Sequence, residues 1–376
     1  MLQHSLVLIA GLIVLGFSAH YLVHAAIKIA LKWRVSEAFI GLTIVAAGTS
    51  APEIAVSVLA ALDGQGALSV GNVIGSNIFN LGFILGLVAV IAPQKIQHKM
   101  VYRDGMVLLG STLIILLMLS NQFISFYEGA LLLFLLATYN LYLWFKKDIP
   151  ESEEEVEGKG TWVDYVIFFV SLFFLVKSAD YVVESAVAIA TSFGLSEWAI
   201  GATIVAAGTS LPEIATSVIA TLKRKFALSI GNVVGSDIFN TLGIIGVSAA
   251  ISPLTLEPGN ILFGMPDNII SMVLLTGTIL LILLFMRTGW VLSRLEGGIL
   301  LLIAVARMGF EIYLGQGNTL LLNGCSPRGG RTWIPLRKFC RGTYWIRSGL
   351  FLNPTGICPW RLRSSNEWRC SRQSSP

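Results

Sequence analysis

The segment LVLIAGLIVLGFSAHYLVHAAIKIAL, residues 6–31, holds one Lys and no acidic residue over a length that matches a bilayer core. A helix rises 1.5 Å per residue, so about 20 apolar residues cross the roughly 30 Å of hydrocarbon. Runs of this kind recur near 5–31, 36–62, 66–91, 101–120, 123–145, 161–190, 196–221, 226–251, 267–286 and 294–314. That is ten expected spans, and it places the chain in the all-α polytopic membrane class. Composition agrees: 13% of the residues are charged, against about 25% in ordinary soluble domains. The first run has neither a basic leading region nor a small-residue cleavage site, so it is expected to stay in the protein.

Charge divides the chain further. The acidic stretch KKDIPESEEEVEGKG, 146–160, reads as a solvated cytoplasmic linker between a first five-helix half, 1–145, and a second, 161–314. Lys28, Lys32 and Arg34 follow span one; Lys95, Lys99 and Arg103 follow span three; Lys223, Arg224 and Lys225 follow span seven. The loops after even-numbered spans carry no basic residue. By the positive-inside rule the odd-span loops are cytoplasmic and both termini lie outside. Residues 315–376 differ from the rest. They hold ten Lys and Arg, a single acid (Glu367) and all four cysteines (Cys325, Cys340, Cys358, Cys370), without apolar periodicity. They read as an atypical basic tail, aberrant or disordered, with no tight pairing of cysteines that would suggest zinc. The body carries 16 basic and 21 acidic residues, so nothing in it points to nucleic acid.

A repeat is written into the body. GLTIVAAGTSAPEIA from Gly41 returns as GATIVAAGTSLPEIA from Gly201, and 41–80 matches 201–240 at 28 of 40 positions without a gap. Five spans separate the copies, and an odd number inverts the second across the membrane. Loop charge agrees: Asp63–Gln65 has no basic residue, and its counterpart is Lys223–Lys225. Inverted repeats with Gly- and Pro-interrupted spans mark alternating-access transporters.

Each copy breaks an apolar run with Gly, two hydroxyls, Pro and Glu. Pro52 lacks an amide donor, so span two should break or kink near Thr49 and Ser50 and free carbonyls of Ala46 to Thr49. A carboxylate at bilayer depth costs about 2.5–3.5 kcal/mol on insertion scales, so Glu53 and Glu213 call for a cation between them. Asn72, Ser76 and Asn80 share one helix face, as do Asn232, Ser236 and Asn240. Pooled, the set is all oxygen, without sulfur or imidazole, which suits hard cations such as Ca2+ and Na+ rather than zinc or copper. Single features of this kind have plain structural explanations: a bend with a back-bonded hydroxyl, or a protonated packing Glu. Lys177 and Asp180, three residues apart, read as a local ion pair, and His20 and His24 as interfacial.

These paired GTS-x-PE and GNV-x-GS-x-IFN segments resemble the alpha-repeats of the sodium/calcium exchanger superfamily of cation/calcium antiporters, in its short prokaryotic form. The resemblance covers roughly residues 1–315. It implies ten transmembrane helices in two inverted five-helix repeats in a bacterial or archaeal plasma membrane. Spans two, three, seven and eight would surround the ions, with spans one and six sliding across them. By motif position it nominates Thr49, Ser50, Glu53, Ser76 and Asn80, and in the second half Thr209, Ser210, Glu213, Ser236 and Asn240, with the carbonyls of Ala46 and Ala206 as sodium contacts. Some relatives, including potassium-dependent ones, end the second motif in Asp where this chain has Asn240; here the acid stands at Asp237 and shares the Asn240 face only in part.

The expected function is therefore Ca2+ exchange for Na+ across the lipid bilayer, without a cofactor; the alternative is exchange for protons. No G-x-x-x-x-G-K-[ST] stretch occurs, so ATP is not the expected energy source. Ser50 and Ser210 have no His or Lys in their motifs to serve as a base, which argues against an intramembrane hydrolase. Two inverted halves in one chain argue against a channel.

Overall fold

The fold is taken from a computed structural model that describes residues 2–146, 161–193, 204, 206–256, 261–262, 265–323, 350–353, 356–364 and 367–370. The acidic linker beyond Lys146, most of the start of span seven (196–205) and much of the tail lie outside the described residues. Helices α1 (Leu2–Trp33), α2 (Glu37–Thr49), α3 (Ala51–Leu62), α4 (Gly66–Ile91), α5 (Met100–Asn121) and α6 (Phe126–Lys146) come first. They are followed by α7 (Trp162–Ser192), α8 (Leu211–Leu222), α9 (Phe226–Ile251), α10 (Asp267–Arg287) and α11 (Arg294–Asn323). Among the described residues, seven helices are long and apolar enough to cross a membrane, and α2 with α3 makes an eighth, bent by 50°. The protein is an integral membrane protein.

Local sequence explains where helices start. Before α6, Ser125 N–H donates to Glu128 Oε2 at 2.7 Å, and Glu128 N–H returns a bond to Ser125 Oγ at 3.3 Å. Ser293 and Glu296 repeat this pattern before α11, and Thr161 with Asp164 before α7. Such reciprocal capping satisfies donors that the first turn of a helix leaves over.

The turn between α3 and α4 and the turn between α8 and α9 have one conformation despite unlike sequences. Gly64 has φ +73° and Arg224 φ +59°. Gln65 N–H reaches Ala60 O at 2.8 Å, and Lys225 N–H reaches Ala220 O at 2.8 Å. Gly adopts this left-handed backbone freely, whereas Arg224 holds it against its Cβ.

The helix break differs in detail from what Pro52 alone suggests. The interruption falls at Ser50, with φ −77° and ψ +11°. Pro52 sits in the first turn of α3, where a missing N–H breaks no ladder bond. The Ala46 carbonyl is not free, because it accepts from Ser50 N–H at 3.0 Å and from the Thr49 hydroxyl at 3.3 Å. Among the described residues four helices also contain π-helical turns that the apolar pattern does not announce: Gly41–Val45 in α2, Asn80–Ile84 in α4, Met100–Gly105 in α5 and Phe239–Ile244 in α9.

Burial sorts the helices. The apolar windows of α4 and α9 are 67% and 78% buried, whereas those of α1 and α7 are 33% buried, so α4 and α9 form the centre. Exposed Leu6, Ile9 and Phe17 on α1, Phe134 and Leu141 on α6, and Phe169 and Phe173 on α7 make a surface suited to lipid. α1 lies along α7: Gly11 meets Val182, Trp33 Nε1–H donates to the Tyr165 hydroxyl at 2.7 Å, and Lys28 pairs with Asp164 at 3.5 Å. α9 lies against α2 with almost no side-chain spacer. A Cβ on Gly235 would come within 2.5 Å of Leu42 Cα, and one on Gly41 within 2.7 Å of Leu228 O. The chain's two ends of the core are tied by short antiparallel pairs, Gln94–Lys95 with Val291–Leu292 and Phe123–Ile124 with Leu254–Thr255.

Residues 321–376 form a second compact unit. Beyond the last residues of α11, its described part is a three-stranded antiparallel sheet: Leu350–Asn353, Gly356–Ser364 and Glu367–Cys370, with a register shift between Leu362 and Ser364.

Candidate cation site

Five helices, α2, α3, α4, α8 and α9, deliver polar side chains to the buried centre. The α2–α3 break carries Thr49 and Ser50, and Glu53 stands in the first turn of α3; all three are buried. The break before α8 carries Ser210 and, half-buried, Thr209, with Glu213 buried one turn on. α4 contributes Asn80, and α9 contributes Ser236, Asp237 and Asn240, all buried; Ser76 is buried on α4. Of the remaining expected residues, Ala46 is buried in α2, and Ala206 opens the helical turn Ala206–Gly208 ahead of α8.

The bonds cross between halves. Ser50 Oγ donates to Glu213 Oε1 at 3.1 Å, and Ser210 Oγ donates to Glu53 Oε1 at 3.2 Å. The Thr209 and Thr49 hydroxyls stand beside the same opposed carboxylates, Glu53 and Glu213 respectively. Ser236 Oγ donates to Glu213 Oε1 at 3.4 Å. Thr49 Oγ1 also reaches Asn232 Oδ1 at 3.3 Å. The two carboxylates, 160 residues apart in the chain, are thus brought together by serines from each other's breaks.

Asp237 belongs to this centre more fully than its position on α9 alone suggests. Its Oδ1 accepts from Asn80 Nδ2 at 2.9 Å. The face of its own helix is only half the geometry, because Asn80 reaches it from α4. Asn77 and Thr241 were not among the expected residues, yet they join the network. Asn77 Nδ2 donates to Thr241 Oγ1 at 2.8 Å, and Asn240 Nδ2 donates to Asn77 Oδ1 at 3.1 Å. The signal for Asn77 was its alignment with Asp237 in the repeat. The amide donors of Asn72 and Asn232 turn to their own hairpins: Asn72 Nδ2 donates to Ser57 Oγ at 2.9 Å, and Asn232 Nδ2 to Ser217 Oγ at 3.0 Å, while Asn232 Oδ1 keeps its contact with Thr49. The Lys177–Asp180 ion pair forms as expected, at 3.1 Å and away from this centre on the half-exposed face of α7.

After these bonds, five buried oxygens of the centre have no hydrogen-bond partner: Glu53 Oε2, Glu213 Oε2, Asp237 Oδ2, Asn80 Oδ1 and Asn240 Oδ1. Every one is an acceptor. No Lys, Arg or His pairs with the three carboxyl groups among the described residues. The other buried side-chain atoms without partners, on Ser69, Gln94, Thr216 and Ser248, belong to neutral groups. An unpaired buried carboxylate oxygen costs several kcal/mol unless a cation or proton meets it. Among the described residues, no three His, Cys, Asp or Glu side chains converge as a metal site of their own. A bound cation would therefore draw on hydroxyl and amide oxygens as well as carboxylates, which is the donor set of a hard ion.

Comparison with known proteins agrees with this chemistry. The family described as "Sodium/calcium exchanger protein" matches residues 4–145 and 163–313. The putative antiporter CaxA of Alkalimonas amylolytica is 36% identical over 308 residues, covering 79% of this chain and 95% of that protein. The sodium/calcium exchanger MaX1 of Methanosarcina acetivorans is 32% identical over 336 residues, covering 78% of this chain and 93% of its own. The sodium-calcium exchanger NCX_Mj, solved after soaking with Na+ and Sr2+, superposes with a TM-score of 0.70 at 29% identity, over 81% of this chain and 97% of that one. The centre thus sits in a fold shared with an exchanger structure, and the matched segments take in both motif copies: the chain belongs to the sodium/calcium exchanger protein family.

Proposed function

We propose that this chain is a secondary antiporter that moves Ca2+ out of the cytoplasm against Na+ by alternating access. The observation that carries the reading is the set of five unpaired buried oxygens around the Glu53 and Glu213 carboxylates. Glu53 and Glu213 bridge Ca2+ and, in turn, coordinate Na+. Thr49, Ser50, Ser76, Asn80 and their counterparts Thr209, Ser210, Ser236 and Asn240 supply further oxygens, and the Ala46 and Ala206 carbonyls complete the sodium shells. Binding at Ala46 requires the Thr49 hydroxyl to turn away from that carbonyl.

In this reading the chain crosses the membrane ten times, in two five-helix halves of opposite orientation, with both termini outside. α1 and α7, packed on each other at the edge of the core, slide across the centre to expose it to one side and then the other. Uncompensated negative charge in the centre opposes that slide, because it would enclose bare carboxylates in a medium of low dielectric. Ca2+ or Na+ removes the penalty, so the carrier returns only when loaded, and the two ions are exchanged rather than leaked. The name of one relative, a sodium/calcium exchanger, supports Na+ over H+ as the coupling ion.

The test is uptake of radiolabelled Ca2+ into proteoliposomes under an imposed Na+ gradient, then under a pH gradient of either sign. The expected result is uptake that follows outward Na+ movement and ignores the pH gradient. Uptake driven by the pH gradient instead would move the reading to proton exchange, and uptake indifferent to both would end it.

A further inference from the structure

Positions 77 and 237 coincide when the two repeats are superimposed in sequence, but one holds Asn and the other Asp. In the centre they make mirrored bonds. Asn240 Nδ2 donates to Asn77 Oδ1 at 3.1 Å, and Asn80 Nδ2 donates to Asp237 Oδ1 at 2.9 Å. A side-chain amide has a donor end and an acceptor end. Anchoring the donor end of Asn80 and Asn240 leaves their carbonyl oxygens as the free ends, and both of those oxygens are buried without a partner.

The two anchors differ in what they have left over. Asn77 is saturated: its Oδ1 is taken by Asn240, and its Nδ2 donates to Thr241 Oγ1 at 2.8 Å and to Asp237 O at 3.3 Å. Asp237 is fully buried, and its Oδ2 has no partner at all. Among the described residues no cationic side chain pairs with it. The mirror symmetry of the centre is therefore broken by one carboxyl group in place of an amide, and its second oxygen meets no hydrogen-bond partner in the protein.

We propose that Asp237 is a positioning and selectivity residue of the cation centre: its Oδ1 holds the Asn80 amide with the carbonyl oxygen turned to the ion, and its Oδ2 adds a third negative charge that favours Ca2+ over Na+. The inference rests on the exchange reading above. Its selectivity follows from Coulomb's law, since a fixed charge acts on a divalent ion with twice the energy it exerts on a monovalent ion at the same place. Removing the charge should then change the Na+ constant by the square root of the change in the Ca2+ constant.

Asp237→Asn is nearly isosteric and keeps an acceptor for Asn80, as Asn77 does for Asn240, so it removes the charge and spares the anchor. Equilibrium binding of radiolabelled Ca2+ to the purified full chain, with Na+ as competitor, reads both constants. The expected result is a Ca2+ Kd raised about tenfold and a Na+ constant raised about threefold. Asp237→Ala loses the anchor as well and is expected to weaken Ca2+ beyond Asp237→Asn. Equal fold-changes for the two ions, or wild-type constants in Asp237→Asn, would overturn the selectivity role. Identical binding by the Asn and Ala variants would overturn the positioning role. The wild type separates the levels of failure: a wild-type chain that neither binds Ca2+ nor takes it up under a Na+ gradient ends the exchange reading, whereas Na+-driven uptake with an unaltered Asp237→Asn ends only the role given to Asp237.

Discussion

Ser50 and Ser210 each bond to the carboxylate that belongs to the other half of the chain. Neither residue can therefore be replaced without disturbing the opposite Glu. A hydrogen bond to a charged group contributes about 1.5–3 kcal/mol, and 1.4 kcal/mol is a factor of ten in affinity. Ser50→Ala and Ser210→Ala are each expected to raise the Ca2+ concentration for half-maximal uptake about tenfold; a titration indistinguishable from wild type would mean that the crossed bonds do not aim the carboxylates. Glu53→Gln and Glu213→Gln are expected to abolish Ca2+ uptake while the protein still elutes as a folded species in detergent, and near-normal uptake by either would remove the bridging role. The motif residues themselves were legible in the sequence, because a carboxylate beside Pro, Ser and Thr in an apolar run has few other uses. The crossing was not, since it depends on which helix faces which. Asn77 and Thr241 were missed for the same reason: each looks like an ordinary small polar residue until the opposite helix is in place.

At the scale of the helix, spacing carried the seven long apolar helices and the break near Ser50, because apolar run length and a Pro are local facts. The π-helical turns at Asn80–Ile84 and Phe239–Ile244 were not legible. A π turn inserts one residue into the ladder and is fixed by what packs around it, not by residue type. Its place matters, since Asn80 begins one such turn and Asn240 lies in the other. Gly235 of α9 packs directly on α2, a partner that the sequence could not name. Gly235 has no room for a methyl group: its added Cβ would stand 2.5 Å from Leu42 Cα and 2.7 Å from Leu42 O, both backbone atoms that cannot swing aside. Overpacking of this kind costs about 1–3 kcal/mol. Gly235→Ala is accordingly expected to lower the thermal unfolding midpoint of the purified protein by several degrees and to reduce uptake through displacement of α2. An unchanged midpoint would show that α2 and α9 are not in close contact.

For the whole molecule the question is whether the two halves face opposite ways. The local evidence is a pair of matching turns with unlike charge: Asp63-Gly64-Gln65 and Lys223-Arg224-Lys225 share a backbone conformation but not a basic residue. The shared conformation does not require the difference; Lys225 pairs with Glu37 and Lys223 donates to the His20 carbonyl, each at 3.1 Å, and the proposed arrangement puts this basic turn on the cytoplasmic side and the other outside. The chain offers a clean way to test this. The family match ends at residue 313, and all four cysteines lie beyond it, at 325, 340, 358 and 370. A stop placed after Leu320, where the first compact unit ends, is expected to leave Na+-driven Ca2+ uptake at the wild-type level, and loss of uptake would give the basic tail a function. In that cysteine-free chain, Gln65→Cys and Arg224→Cys each place one thiol in one of the two turns. A membrane-impermeant maleimide added to intact cells is expected to label Cys at 65 directly and Cys at 224 only after permeabilisation. Both turns reacting from the same side would mean that the repeats run parallel. α3 and α8 would then enter the centre from one face, Glu53 and Glu213 could not oppose each other across it, and a carrier that alternates between two mirrored states would have no structural basis in this chain.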